Sequence, residues 1–142
     1  MDNTAIGCSA LSYNLNGQAN TATGAFALLV NESGSNNTAT GWRALIRNAT
    51  GSFNVASGYN ALRKNITGLN NTAIGSNAMF HNQGGNKNIA LGYLAGANLS
   101  GDHNIDIGNS GVMNQAQSAL ANHQIRPTLL SPALAALPWP VA

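Results

Sequence analysis

The chain has 142 residues, enough for one domain of ordinary size, and only 7% of them are charged. Gly (16) and Asn (22) are over-used, but 44% of the chain is hydrophobic and the formal charge is +2, which excludes the low-hydrophobicity, high-charge composition of a disordered chain. The pI near 9.0 reflects six Lys and Arg against four acids. These are scattered singly apart from Arg63 and Lys64, so no basic stripe exists for a phosphate backbone and no nucleic-acid partner is expected. A single cysteine, Cys8, excludes an internal disulfide and reads as a small packed residue. Met1 to Ala5 offers neither a basic nor an apolar signal region, and the apolar stretches near the end are cut by Pro127, Pro132, Pro138 and Pro140. Neither a secretion signal nor membrane insertion is expected.

Along the chain, one unit recurs. An Asn-x-x-x-Gly core runs from Asn3 to Gly7, Asn20 to Gly24, Asn37 to Gly41, Asn54 to Gly58, Asn71 to Gly75, Asn88 to Gly92 and Asn104 to Gly108. The steps between successive cores are 17 residues, except for a last step of 16. The central core residue is Ala in six copies (Ala5, Ala22, Ala39, Ala56, Ala73, Ala90) and Asp106 in the seventh. Three residues after each of the first six core glycines comes another Ala (Ala10, Ala27, Ala44, Ala61, Ala78, Ala95). It is followed by Leu11, Leu28, Leu45, Leu62 or Met79, and by Gly96 in the sixth copy. A second Asn then leads to a second Gly: Asn14 and Gly17, Asn31 and Gly34, Asn48 and Gly51, Asn65 and Gly68, Asn82 and Gly85, Asn98 and Gly101.

Each core alternates, as in Thr4-Ala5-Ile6 or Ile89-Ala90-Leu91, with β-branched residues on one face and Ala on the other; this is strand periodicity. A Gly about every eight residues excludes helix. Both Gly columns read as turns with positive φ. Two short strands and two turns make one coil, and coils stacked about 4.8 Å apart would pair strand on strand in parallel, as a β-solenoid. The Ala column implies an interior where only a methyl fits, and Asn in register can form amide ladders. Seven cores make a rod of only about 30 Å with a thin core, so self-association is expected. A ring column after the core Gly (Trp42, Tyr59, Tyr93, with Cys8, Ala25 and Ser76 in other copies), together with Phe26, supplies candidate surface contacts or stacks between coils.

These residues resemble the head repeats of trimeric autotransporter adhesins. They are more similar still to the Asn-Thr-Ala-Ile-Gly-x-x-Ala-Leu arrays of bacterial surface proteins and phage tail fibres. The resemblance covers Asn3 to about Val112, roughly three quarters of the chain. It implies a left-handed parallel β-roll, three chains side by side, a cell-surface or virion location, and attachment or a fibre shaft without catalytic residues. Past Val112 the columns stop. Two readings of Met113 to Ala142 stay open. In one, the tail is frame-shifted, because permitted codons read from the third nucleotide of Met113 give Glu-Ser-Ser-Thr-Ile-Arg-Ile-Gly, similar to the segment that succeeds the repeats in tail-fibre-like relatives. In the other, a capping helix covers Gln115 to His123.

No constellation for catalysis or metal binding is present: His81, His103 and His123 are isolated, and only His103 between Asp102 and Asp106 forms a polar cluster, best read as a solvated turn. Gly84-Gly85-Asn86-Lys87 lacks the frame of a phosphate loop. No enzyme and no cofactor is expected. The expected function is a structural or adhesive rod, a homotrimer with end-to-end stacking at its unpaired strand edges, facing a glycan or matrix ligand. The alternatives are ice binding through Thr21, Thr23, Thr38 and Thr40, and a self-assembling filament subunit.

Overall fold

A computed structural model describes residues 2–108. These residues form a parallel β-solenoid with no helix. Its strands are β1 (Thr4–Ile6), β2 (Tyr13–Asn14), β3 (Thr21–Thr23), β4 (Val30–Asn31), β5 (Thr38–Thr40), β6 (Val55–Ser57), β7 (Thr72–Ile74), β8 (Ile89–Leu91) and β9 (Ile105–Ile107). Seven of them make one parallel sheet in the order β1-β3-β5-β6-β7-β8-β9. The register joins equal repeat positions: Ala22 faces Ala39, Ala39 faces Ala56, and Ala73 faces Ala90.

The second strand of each coil is shorter than its pattern suggests. Only β2 and β4 pair on that side, extended by a bridge between Val30 and Arg47. Elsewhere the coils are still joined by backbone bonds that reach 16 residues along the chain into the next coil, such as Leu28 N–H to Ala44 O (2.9 Å), Leu45 to Ala61 (3.0 Å) and Leu62 to Ala78 (2.9 Å). The bends between these bonds use left-handed residues in three columns per coil. One runs through Phe26, Arg43, Asn60 and Asn77, another through Leu28, Leu45, Leu62 and Met79, and a third through Asn36, Phe53, Asn70 and Lys87. Most are not glycines, and each such residue costs about 1–2 kcal/mol, which the stacking bonds offset.

The two Gly columns differ in their reason. Gly41 lies at φ +124, and a Cβ there would also stand 2.7 Å from Gly58 O in the next coil. Gly51, of the second column, has no positive φ. A Cβ there would meet Asn65 Nδ2 and Gly68 O at 2.6 Å. The expectation of positive φ therefore fails for Gly17, Gly34, Gly51, Gly68 and Gly85. These positions are Gly because a ladder amide of the same coil and the backbone of the neighbouring coil both lie against them.

Inside, Ala22, Ala39, Ala56, Ala73 and Ala90 are fully buried against Leu28, Leu45, Leu62 and Met79. This is the thin interior that the Ala column implies. The boundary at Val112 and the tail from Met113 to Ala142, including Gln115 to His123, lie outside the described residues.

Candidate functional site

Two amide ladders run along the solenoid and meet at one carbonyl per coil. In the first, formed by the core Asn residues, each Oδ1 accepts from the next coil: Asn37 reaches Asn20 Oδ1 with its backbone N–H (2.9 Å) and with Nδ2 (3.1 Å). Asn54, Asn71 and Asn104 repeat this on Asn37, Asn54 and Asn88. Asn20 on Asn3 and Asn88 on Asn71 make the same bond through the backbone N–H. In the second ladder Asn31 donates to Asn14, Asn48 to Asn31, Asn65 to Asn48 and Asn82 to Asn65. Both ladders also donate to the second Gly of their coil: Gly51 O accepts from Asn37 (2.9 Å) and Asn48 (2.7 Å). Most of these amides are fully buried, and each Nδ2 has an acceptor, as a buried polar group requires.

The 16-residue coil, residues 88–103, breaks the second ladder. Seventeen residues after Asn82 stands Leu99, which is buried, while Asn98 is exposed. Asn82 Oδ1 is consequently buried with no partner, and Gly101 O takes Asn88 Nδ2 alone of the two amides that meet in other coils. The Asn98 and Gly101 pair therefore keeps its spacing but not its role. A cavity of about 380 Å3 opens here, with His81, Gln83, Asn98 and Ser100 on its walls. Burial, with the Lys64 ammonium second, lowers the His81 pKa from 6.5.

Outside, the sheet presents two columns in register. The first is Thr4, Thr21, Thr38, Val55, Thr72, Ile89 and Ile105; the second is Ile6, Thr23, Thr40, Ser57, Ile74, Leu91 and Ile107. Ile6, Val55, Ile74, Ile89 and Ile107 are exposed on this face. On the adjoining turn, the rings stack between coils. Trp42 and Tyr59 lie 4.8 Å apart at 12°, with Arg43 4.0 Å from the Trp42 centroid and 5.8 Å from that of Phe26. Tyr59 and Tyr93 are exposed, whereas Phe26 and Trp42 are half-buried. Cys8, expected to be packed, is exposed, because its column faces outward.

The polar cluster near the end is split by the register. Asp102 accepts from Asn86 through both N–H (2.6 Å) and Nδ2 (3.0 Å), Asp106 occupies the buried Ala column opposite Ala90, and His103 is exposed. Among the described residues no group of three His, Cys, Asp or Glu is placed to hold a metal ion, and no helix is long and apolar enough to cross a membrane. No family model, curated protein or solved structure matches the chain.

Proposed function

We propose that the chain is a structural and adhesive rod that associates as a homotrimer through its seven-stranded sheet, on a cell surface or a virion, with a glycan or matrix component as its ligand. The observation that carries this reading is the outward face of that sheet: flat, free of charged side chains, and lined by exposed Ile and Val. Exposed Ile and Val set among Thr on an uncharged sheet face mark an interaction surface. The interior beneath it is one Ala and one Leu or Met deep, so covering the outer face adds burial that a short rod needs. The resemblance to adhesin heads and tail-fibre arrays agrees with this arrangement. End-to-end stacking is a further mode, because an unpaired strand edge invites another coil. A coil added there would extend the sheet into a filament.

The test is sedimentation at micromolar concentration, with Ile74→Lys on the exposed face. The wild type is expected to run as a trimer, and the charged variant as a monomer with a lower melting temperature. A stable wild-type monomer, or a variant that associates unchanged, overturns the reading. Ice binding rests on Thr4, Thr21 and Thr38 in register beside Thr23 and Thr40. Val55, Ser57, Ile89 and Leu91 interrupt that array in the later coils. Thermal hysteresis in a dilute solution would favour it over the adhesive rod.

A further inference from the structure

The ring column contains one gap. Phe26, Arg43, Trp42 and Tyr59 form a continuous run of planar groups from the second coil to the fourth, so one face of Trp42 is covered by the guanidinium and the other by Tyr59. Tyr59 stacks on Trp42 by one face, and its other face looks along the column toward the fifth coil. There the column holds only Ser76, and the next ring is Tyr93 in the sixth coil. Both tyrosines are strongly exposed, 50% and 69%.

The width of this gap is set by the register. Backbone bonds from Asn77 N–H to Tyr59 O (2.8 Å) and from Leu94 N–H to Ser76 O (2.9 Å) join the three successive coils here, so Tyr59 and Tyr93 leave the backbone two coil spacings apart, about 9.6 Å. One six-membered ring fits that width, and a chair-shaped pyranose, whose axial C–H bonds stand off its mean plane, turns a C–H face to each tyrosine.

The floor suits the same guest. Asn60 Nδ2 donates to Asn77 Oδ1 (3.3 Å) and Asn77 Nδ2 donates to Ser76 Oγ (3.3 Å), which leaves the Ser76 hydroxyl proton directed to a further acceptor. Asn60 Oδ1 is buried at the start of this chain with no partner of its own. Beside the gap, through Asn77 and Leu94, lies a cavity of about 280 Å3 whose other walls are Phe80, His81, Ala97 and Asn98. It joins apolar surface to amides, the combination that takes the two faces of a second sugar ring.

We propose that the gap over Ser76, between Tyr59 and Tyr93, is a saccharide subsite that holds one pyranose ring by its two C–H faces, with the adjoining cavity holding the next ring of the same glycan. This rests on the adhesive reading and gives it a defined site.

The experiment is saturation-transfer NMR with methyl β-D-galactopyranoside, methyl α-D-mannopyranoside and methyl N-acetyl-β-D-glucosaminide, with the tyrosine ring signals followed in titration. At least one glycoside is expected to bind wild type and to shift Tyr59 and Tyr93 but not Tyr13, an exposed tyrosine outside this column. Ser76→Tyr fills the gap and completes the stack, so it should weaken binding at least tenfold while the melting temperature holds or rises. Should that variant melt early, Tyr93→Ala decides, with the same tenfold loss expected. Binding that survives both variants, or no shift of Tyr59 and Tyr93 by any of the three glycosides, overturns the subsite. The adhesive reading is judged separately, by trimer formation and by adhesion of the Ser76→Tyr variant to intact cells. Adhesion undiminished in that variant rejects the subsite and leaves the rod standing.

Discussion

A ladder residue matters through what both ends of its amide hold. Asn48 donates to Asn31 Oδ1 (2.8 Å) and Gly51 O (2.7 Å), and its own Oδ1 accepts from Asn65 (2.8 Å). Asn48→Ala leaves Asn31 Oδ1 and one hydrogen of Asn65 buried without partners, for a loss of about 3–5 kcal/mol. Asn82→Ala should cost less, about 1–3 kcal/mol, because Asn82 Oδ1 accepts nothing in the native protein. Urea unfolding of the two variants checks this, and equal losses would show that the ladder is not broken at Asn82. The glycines make a second contrast. Gly51→Ala drives a methyl against Asn65 Nδ2 and Gly68 O and should destabilise by about 1–3 kcal/mol. At Gly84 a methyl meets only Thr67 Oγ1, at 2.9 Å, so Gly84→Ala is expected to be neutral or stabilising by about 0.4–1 kcal/mol. Thermal melts that rank these two glycines equally would contradict a steric origin for the second column.

At the scale of the coil, the legible features are those that repeat in residue type. The Ala column, the Leu and Met column and both Asn columns are chemically uniform, so their burial and their ladders can be inferred from spacing alone. The left-handed conformation was not legible: Phe26, Arg43 and Asn60 share it without shared side-chain chemistry, and the uniform column of Leu28, Leu45, Leu62 and Met79 signals burial rather than a positive φ. The second Gly column misled for a related reason: a Gly shows that a Cβ is unwelcome but not whether torsion or a neighbour forbids it. The sixth coil misled through its spacing. Asn98 and Gly101 keep the motif, yet the missing residue lies before them, and the chain seats Leu99 in the interior instead. Burying Leu there gains about 1.5–3 kcal/mol of apolar transfer, enough to outweigh one amide contact. The gap at Ser76 was visible as a small residue in a ring column. Its meaning needed the register that joins the coils of Tyr59, Ser76 and Tyr93, which turns sequence spacing into a width.

For the whole molecule, the ladders and the sheet make the coil, not the residue, the unit of stability. Each coil bonds only its two neighbours, so the free energy of folding is close to a sum of coils and interfaces. Excising residues 20–36 should therefore rejoin equal columns: Asn3 Oδ1 would receive Asn37 in place of Asn20, and Ala5 would pair with Ala39. The product is expected to keep a β-type circular dichroism spectrum and a single cooperative transition, at a lower melting temperature. Deleting Arg47 alone removes far less chain but recreates, in the middle of the rod, the 16-residue spacing found at residues 88–103. Asn48 would then stand 16 residues from Asn31 and out of phase with it, and the second ladder would be cut with coils on both sides of the break. Among the described residues the native shortfall falls late in the array, with β9 beyond it. Calorimetry should show the Arg47 deletion with a broadened or split transition as the two halves decouple. A 17-residue excision that fails to fold, or a one-residue deletion that melts like wild type, would show that stability is not propagated coil to coil.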